Sequence, residues 1–238
     1  MPTAPERFKQ RLMNVSLSTM VRKLRQQGVL AKTRESRLLR QIPEVTLSEL
    51  VGRTMVSIEA AYSYVEGSLP LCDLLALLSI LVSRSPKTIL EIGTFNGYTT
   101  RLMAFNLPSA EIHTIDLPEN FEERGAGLQK DDWHLISTRR VGHEYRTDPA
   151  ITSVTQHFGD TAEYSFPHAE AVFIDGSHTY EYVRNDTERA LTFPGTKVLM
   201  WHDCNETHPD VMRWLIEMIH DGHAVQHIQG TSLAVLEL

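Results

Sequence analysis

The stretch Leu90-Glu91-Ile92-Gly93-Thr94-Phe95-Asn96-Gly97-Tyr98-Thr99-Thr100 decides how the chain is read. Thr88 to Ile92 is apolar and β-branched, as a buried strand requires. Two glycines follow, and then a segment with helical character begins at Tyr98. A strand that ends in glycines and runs into a helix lets a ligand approach the backbone closely. The spacing is Glu-x-Gly-x-x-x-Gly, not the Gly-x-Gly-x-x-Gly that seats a pyrophosphate. Glu91 adds a negative charge at the strand end, which disfavours phosphate and favours a ligand bearing an ammonium.

Outward from this stretch, short apolar runs alternate with helical segments. The runs are Thr88–Ile92, Glu111–Ile115, Ala171–Ile174 and Lys197–Trp201, and helices are expected at Tyr98–Asn106, His178–Leu191 and Pro209–Asp221. Such alternation implies βαβ units and a parallel sheet. The end of the chain differs. Residues 224–229 and 232–238 read as strands separated only by Gly230-Thr231, too short for a crossover helix, so they form an antiparallel hairpin. The expected fold is α/β: a Rossmann-like, doubly wound, mostly parallel seven-stranded sheet closed by that hairpin, with N-terminal helices before it. Upstream, residues 71–83 read as a buried helix after a turn at Gly67-Ser68-Leu69-Pro70, and residues 46–64 are ambiguous because Gly52 interrupts a helical pattern.

The chain has 238 residues, enough for one sizeable α/β domain and an appendage. Its net charge is −7, unevenly spread. Residues 1–40 hold ten Lys/Arg against Glu6 and Glu35, about +8, which leaves about −15 for the rest. An acidic body argues against nucleic acid as a partner, because phosphate contacts need a basic face. The division expected is a basic helical arm over residues 1–45 and a catalytic domain over residues 46–238. The arm could touch an acidic partner, the acidic body or, peripherally, an anionic membrane surface. Cys72 and Cys204 form no disulfide framework and fit a reducing compartment. No secretory signal is visible, and residues 69–82, the most apolar stretch, are too few to span a bilayer. A cytoplasmic homo-oligomer, a dimer, is the expectation.

Asp116 lies twenty-five residues after Glu91, at the end of the run Glu111-Ile112-His113-Thr114-Ile115-Asp116. An acid there can accept both ribose hydroxyls, by the geometry used in dinucleotide sites. An acid-flanked glycine loop with a ribose acid suits S-adenosylmethionine, which carries an amino-acid head and a ribose but no phosphate. "ILEIGTFNGYTT", "HTIDLP", "FGDTAEY", "VFIDGSHTYEYVRNDTERAL" and "VLMWHDCN" together resemble the successive motifs of class I SAM-dependent methyltransferases. They are most similar to the small-molecule O-methyltransferase group called methyltransferase family 24. The resemblance covers about residues 65–238. It implies that Glu91, Gly93 and Gly97, with Thr94 and Asn96 of the same loop, hold the methionine end. It also implies Asp116 at the ribose, Asp160 at the adenine amino group with Thr161 beside it, and Asp175 facing the cofactor.

A second cluster follows from the strand ends. Asp175 ends one apolar run, with His178 three residues on, and His202, Asp203 and Asn205 end the next. Adjacent parallel strands bring such ends to one carboxyl edge. The arrangement resembles metal-dependent O-methyltransferases of the catechol and caffeoyl-CoA types. It departs from them by placing histidine where the base is lysine and imidazole where a carboxylate ligates. His178 and His202 are therefore the catalytic candidates, since imidazole suits general-base work at neutral pH. Asp175, His202 and Asp203 are the candidate ligands of a divalent metal such as Mg²⁺, although an imidazole favours a transition metal or none. The expected reaction is methyl transfer to a hydroxyl of a small acceptor, a sugar or natural-product intermediate. N-methylation and non-catalytic SAM binding are the rival readings. The polar segment from Asp131 to Asp148 reads as a lid whose Arg139, Arg140 and Arg146 could recognise an acidic acceptor.

Overall fold

The computed structural model describes residues 12–16, 37–59, 64–119 and 137–238. The first elements are β1 (Leu12–Ser16), β2 (Glu44–Val45), α1 (Leu47–Val51) and β3 (Met55–Glu59). After them come α2 (Leu71–Arg84), β4 (Thr88–Ile92), α3 (Tyr98–Asn106), β5 (Glu111–Asp116), the single turn α4 (His143–Arg146), and β6 (Val154–Phe158). The chain closes with β7 (Ala171–Ile174), α5 (Tyr180–Leu191), β8 (Val198–Trp201), α6 (Pro209–His220), β9 (Gln226–Ile228) and β10 (Ala234–Glu237).

The main sheet has eight strands in the order β2-β9-β10-β8-β7-β4-β5-β6. Strands β6, β5, β4, β7 and β8 are parallel, as the alternation of runs and helices requires. The terminal hairpin joins them antiparallel, with Ala234 opposite Trp201. The fold is thus the Rossmann-like, mostly parallel sheet with a C-terminal antiparallel hairpin.

Three differences from the sequence reading have plain physical causes. The sheet has eight strands rather than seven because Glu44–Val45 adds a two-residue edge to β9, and a pair that short leaves no periodicity. Strand β6, Val-Thr-Gln-His-Phe, was not among the apolar runs because it lies at the other edge and buries little. Residues 12–16, read as part of a basic helix, form a strand antiparallel to β3. The remainder of that helical expectation lies outside the described residues, except for a 3₁₀ turn at Leu39–Gln41.

Side chains alternate across a strand, so the sheet buries two faces. On one, Leu90, Ile92, Ile115, Val172, Ile174 and Trp201 pack against α5 and α6. On the other, Ile89, Ile112, Phe173 and Met200 pack against α2 and α3. The indole of Trp201, fully buried, still donates to Thr187 Oγ1 at 2.8 Å, so its polar atom is satisfied. Strands β4 and β7 are neighbours in the sheet but not in sequence, so the winding reverses between them. Open α/β sheets bind ligands at that reversal, outside the carboxyl ends of the strands.

Candidate active site

A cavity of about 410 Å³ opens at this edge. Its wall includes Gly93, Asp116, Asp160, Thr161, Asp175, His178, His202 and Asp203. Eight of the sequence candidates therefore share one space, although they come from the ends of five strands. Gly93 makes the approach possible. Its φ is +101°, and a Cβ there would stand 2.0 Å from the carbonyl oxygen of Asp175. Only glycine lets the ends of β4 and β7 touch backbone to backbone.

Glu91, Thr94, Asn96 and Gly97 do not line the cavity. Glu91 shares a strand face with Ile89, pointing toward α3 rather than outward. It is 1% exposed, and its Oε2 accepts hydroxyls from Thr100 at 2.5 Å and Thr114 at 2.6 Å. Thr94 continues this chain through Thr114 at 2.7 Å, and Gln156 joins it at 3.0 Å. Burial pushes the Glu91 carboxyl up to about 8, and the threonine hydroxyls only partly oppose it. Glu91 thus carries a proton at neutral pH and holds the loop from beneath. The Asn96 side chain caps the start of α3, accepting from Tyr98 N at 3.0 Å. Gly97, at φ +82°, gives the left-handed entry to that helix.

At the cavity wall Asp116 accepts from Phe95 N at 2.8 Å, Leu117 N at 2.7 Å and Arg139 Nη2 at 2.6 Å. Burial pushes its carboxyl upward, against Arg139 and the two backbone donors. Arg139, expected on a lid and aimed at an acceptor, is instead buried and committed to Asp116 and the Leu117 carbonyl. Residues 131–136 of the expected lid lie outside the described residues. Asp160 accepts from Tyr182 Oη and Ala162 N, both at 2.9 Å. Each carboxylate oxygen has two lone pairs, so both acids keep capacity for a ligand.

The imidazole cluster sits beside them. His202 Nδ1 lies 3.0 Å from Asp175 Oδ1 and 3.1 Å from Asp203 Oδ2. Its Nε2 lies 3.0 Å from Asp73 Oδ2. Burial alone would lower the pKa of this ring; the charge of Asp175 and hydrogen bonds to Asp175, Asp203 and Asp73 outweigh it and hold it well above the ordinary value. Burial would likewise raise Asp203, but hydrogen bonds from His178 and His202 hold it far below the usual carboxylate range. For Asp175 burial prevails, and its carboxyl is raised. His178 Nε2 lies 2.8 Å from Asp203 Oδ2, and His208 Nε2 lies 3.6 Å from Asp203 Oδ1. The two rings meet with centroids 4.1 Å apart. Asp203 has φ +57°, a left-handed conformation that asparagine and aspartate tolerate best. That conformation turns its carboxylate toward three imidazoles at once.

The sequence reading missed Asp73, His208, Tyr182 and the commitment of Arg139. Asp73 had one signal, a lone acid in the most apolar stretch of the chain. Tyr182 and His208 carry no local pattern, and only the folding of α5 and of the segment before α6 over the sheet brings them in.

Residues 90–204 match the model of a family described as "Methyltransferase domain". The match runs from within β4 to just past the end of β8 and so spans the parallel strands at whose carboxyl edge the cavity opens. Among solved structures, the chain is similar to the SAH-bound Podospora anserina methyltransferase PaMTH1, with a TM-score of 0.54 at 11% identity, over 94% of this chain and 97% of that one. It is also similar to the Bacillus cereus O-methyltransferase in complex with SAH, with a TM-score of 0.47 at 13% identity, over 73% of this chain and 84% of that one. Among the described residues, no helix is long and apolar enough to cross a membrane.

Proposed function

We propose that the chain is an S-adenosylmethionine-dependent O-methyltransferase acting on a hydroxyl of a small molecule, a sugar or natural-product intermediate. The observation that carries this reading is one cavity lined by two chemically different groups of residues. Ribose- and adenine-type acceptors, Asp116 and Asp160, share its wall with the imidazole–carboxylate cluster of Asp175, His178, His202 and Asp203. The volume lies in the range of sites that enclose a small ligand. Bound S-adenosylmethionine supplies an electrophilic methyl group on a positively charged sulfur. Asp116 accepts from the ribose hydroxyls, and Asp160 with Thr161 faces the base. Gly93 offers bare backbone on the same wall.

His178 takes the proton of the acceptor hydroxyl. Asp203, ionised and 2.8 Å from its Nε2, steadies the imidazolium that results. His202 does not serve as a second base, because both ring nitrogens already face carboxylates. The spacing of Asp175, His202 Nδ1 and Asp203 also fits a divalent ion, since donors around one ion at ~2.0–2.2 Å sit about 3 Å apart. Such an ion and the Nδ1 proton are alternatives for one position. If held there, the ion would lower the pKa of the acceptor hydroxyl.

Calorimetric titration with S-adenosylmethionine, S-adenosylhomocysteine and NAD tests the cofactor. The expected result is binding of the first two and none of the third. A screen of hydroxylated acceptors, read by release of S-adenosylhomocysteine, tests the reaction. Methylation confined to amines would replace the hydroxyl reading.

A further inference from the structure

Asp73 lies outside the cavity wall and has no role in the chemistry above. It stands on α2 among Leu74, Leu75, Leu77 and Leu78, and is itself 1% exposed. A carboxylate buried among leucines is stable only when donors surround it. Its donors come from three parts of the fold. Cys72 Sγ donates to Oδ1 at 3.2 Å from the same helix. Ser232 N, before β10, lies 3.3 Å from both oxygens. His202 Nε2, after β8, lies 3.0 Å from Oδ2. The Ser232 carbonyl in turn accepts from Cys204 N at 2.9 Å, so the segment carrying His202 and Asp203 is gripped from both sides.

We infer that Asp73 is a positioning residue, which fixes a proton on Nε2 of His202 and so presents Nδ1 to Asp175 and Asp203. The inference rests on the methyltransferase reading for its consequence, but not for its geometry. An imidazole has two nitrogens, and the partner of one sets the role of the other. With Nε2–H held by Asp73, the ring cannot turn, and Nδ1 stays between the two carboxylates whether it holds a proton or a metal ion. This is the arrangement by which outer carboxylates orient ligating or catalytic imidazoles. It also explains why an acid stands among the buried apolar residues of α2.

The test is the nitrogen spectrum of the full chain labelled with ¹⁵N-histidine, with S-adenosylhomocysteine added, before and after EDTA. The His202 signals are assigned by their loss in His202→Gln. In the wild-type chain Nε2 is expected to carry its proton under both conditions. Asp73→Asn keeps the side-chain shape but removes the charge that faces Nε2, so the Nε2 signal should move toward that of an unprotonated nitrogen. Methyl transfer should fall about 10–100-fold, while the dissociation constant for S-adenosylmethionine changes less than about threefold. An unprotonated Nε2 in the wild-type chain overturns the inference. So does an Asp73→Asn chain with an unchanged spectrum, or one that loses cofactor affinity and melting temperature in step with turnover. Should neither Asp73→Asn nor Asp73→Ser fold, Asp73 is a core strut and the positioning role is wrong. Absence of transfer by the wild-type chain would count against the methyltransferase reading, and the spectrum would then decide Asp73 alone.

Discussion

Glu91 and Asp203 are both carboxylates near the ends of parallel strands, and they have opposite fates. Glu91 lies beneath the glycine loop among threonine hydroxyls and keeps its proton, pushed up to about 8 by burial. Asp203 lies at the cavity wall, where His178 and His202 hold it ionised. Hydroxyls supply dipoles, whereas imidazoles supply charge and can remove the cost of burying an anion. Burial therefore does not decide the state of an acid in this protein; its partners do. The first region supports the glycine loop and the second lines the cavity, and Gly93 lies between them.

Breaking the cavity side should give the largest effect. His178→Ala is expected to lower turnover roughly 10²–10⁴-fold, the usual worth of a positioned general base. The affinity for S-adenosylmethionine should stay nearly constant, because the proposed base would act on the acceptor and not on the cofactor. His178→Gln should be almost as damaged, since an amide cannot take up the proton. Near-normal turnover in the alanine variant would make His178 structural.

The hinge between the two regions comes next. Gly93→Ala places a methyl group 2.0 Å from the Asp175 carbonyl oxygen, at φ +101°. Backbone on both sides cannot give way without separating β4 from β7. A loss of at least about 3 kcal/mol in urea unfolding is expected, together with loss of cofactor binding. A variant of unchanged stability would show that the close approach is dispensable.

On the cofactor side the effect should be smaller. Asp116→Ala should weaken S-adenosylmethionine binding by about 1–3 kcal/mol, the cost of removing a partner from buried hydroxyls. It also strands Arg139, so Asp116→Asn is the gentler comparison. Unchanged affinity in both variants would remove Asp116 from the ribose.

The smallest effect concerns the support. The folded chain holds a proton on Glu91 up to about pH 8, whereas an unfolded chain releases it near 4.5. The folded state thus binds more protons between those values, and stability falls as pH rises through that window. Glu91→Gln cannot ionise and should keep its shape and its threonine contacts. Its stability at pH ~5 should match the wild-type chain within about 1 kcal/mol, and it should lose less on going to pH ~8. Asp186, raised to about 7 by burial, slopes the same way in both chains and cancels in the comparison. Equal slopes would mean that Glu91 is already ionised in the folded protein.

How far the sequence carried the site can be read from particular residues. Asp116, Asp175, His178, His202 and Asp203 were legible because each ends, or closely follows, an apolar run, whereas Asp160 follows the half-exposed β6 and was reached only through the family resemblance. In a parallel sheet such ends collect at one edge by topology alone. Glu91 was legible as important but not in its direction. Alternation along β4 turns its side chain toward α3, and the register of Thr114 and the helical position of Thr100 then close it off. Asp73 could not be placed, because 129 residues separate it from His202, and only the packing of α2 beside the sheet brings them together.

By itself, then, the sequence determined the sheet of parallel strands, the terminal hairpin and the list of residues at the carboxyl edge. These follow from local periodicity, from connection length and from the chirality of the polypeptide. The tertiary structure decided the protonation and the partners: Glu91 kept neutral among hydroxyls, Arg139 drawn to Asp116, and His202 held between three acids. Those depend on which side chains meet across the fold. Electrostatic energy is set by distance and by the loss of water, neither of which is written in the order of residues along the chain.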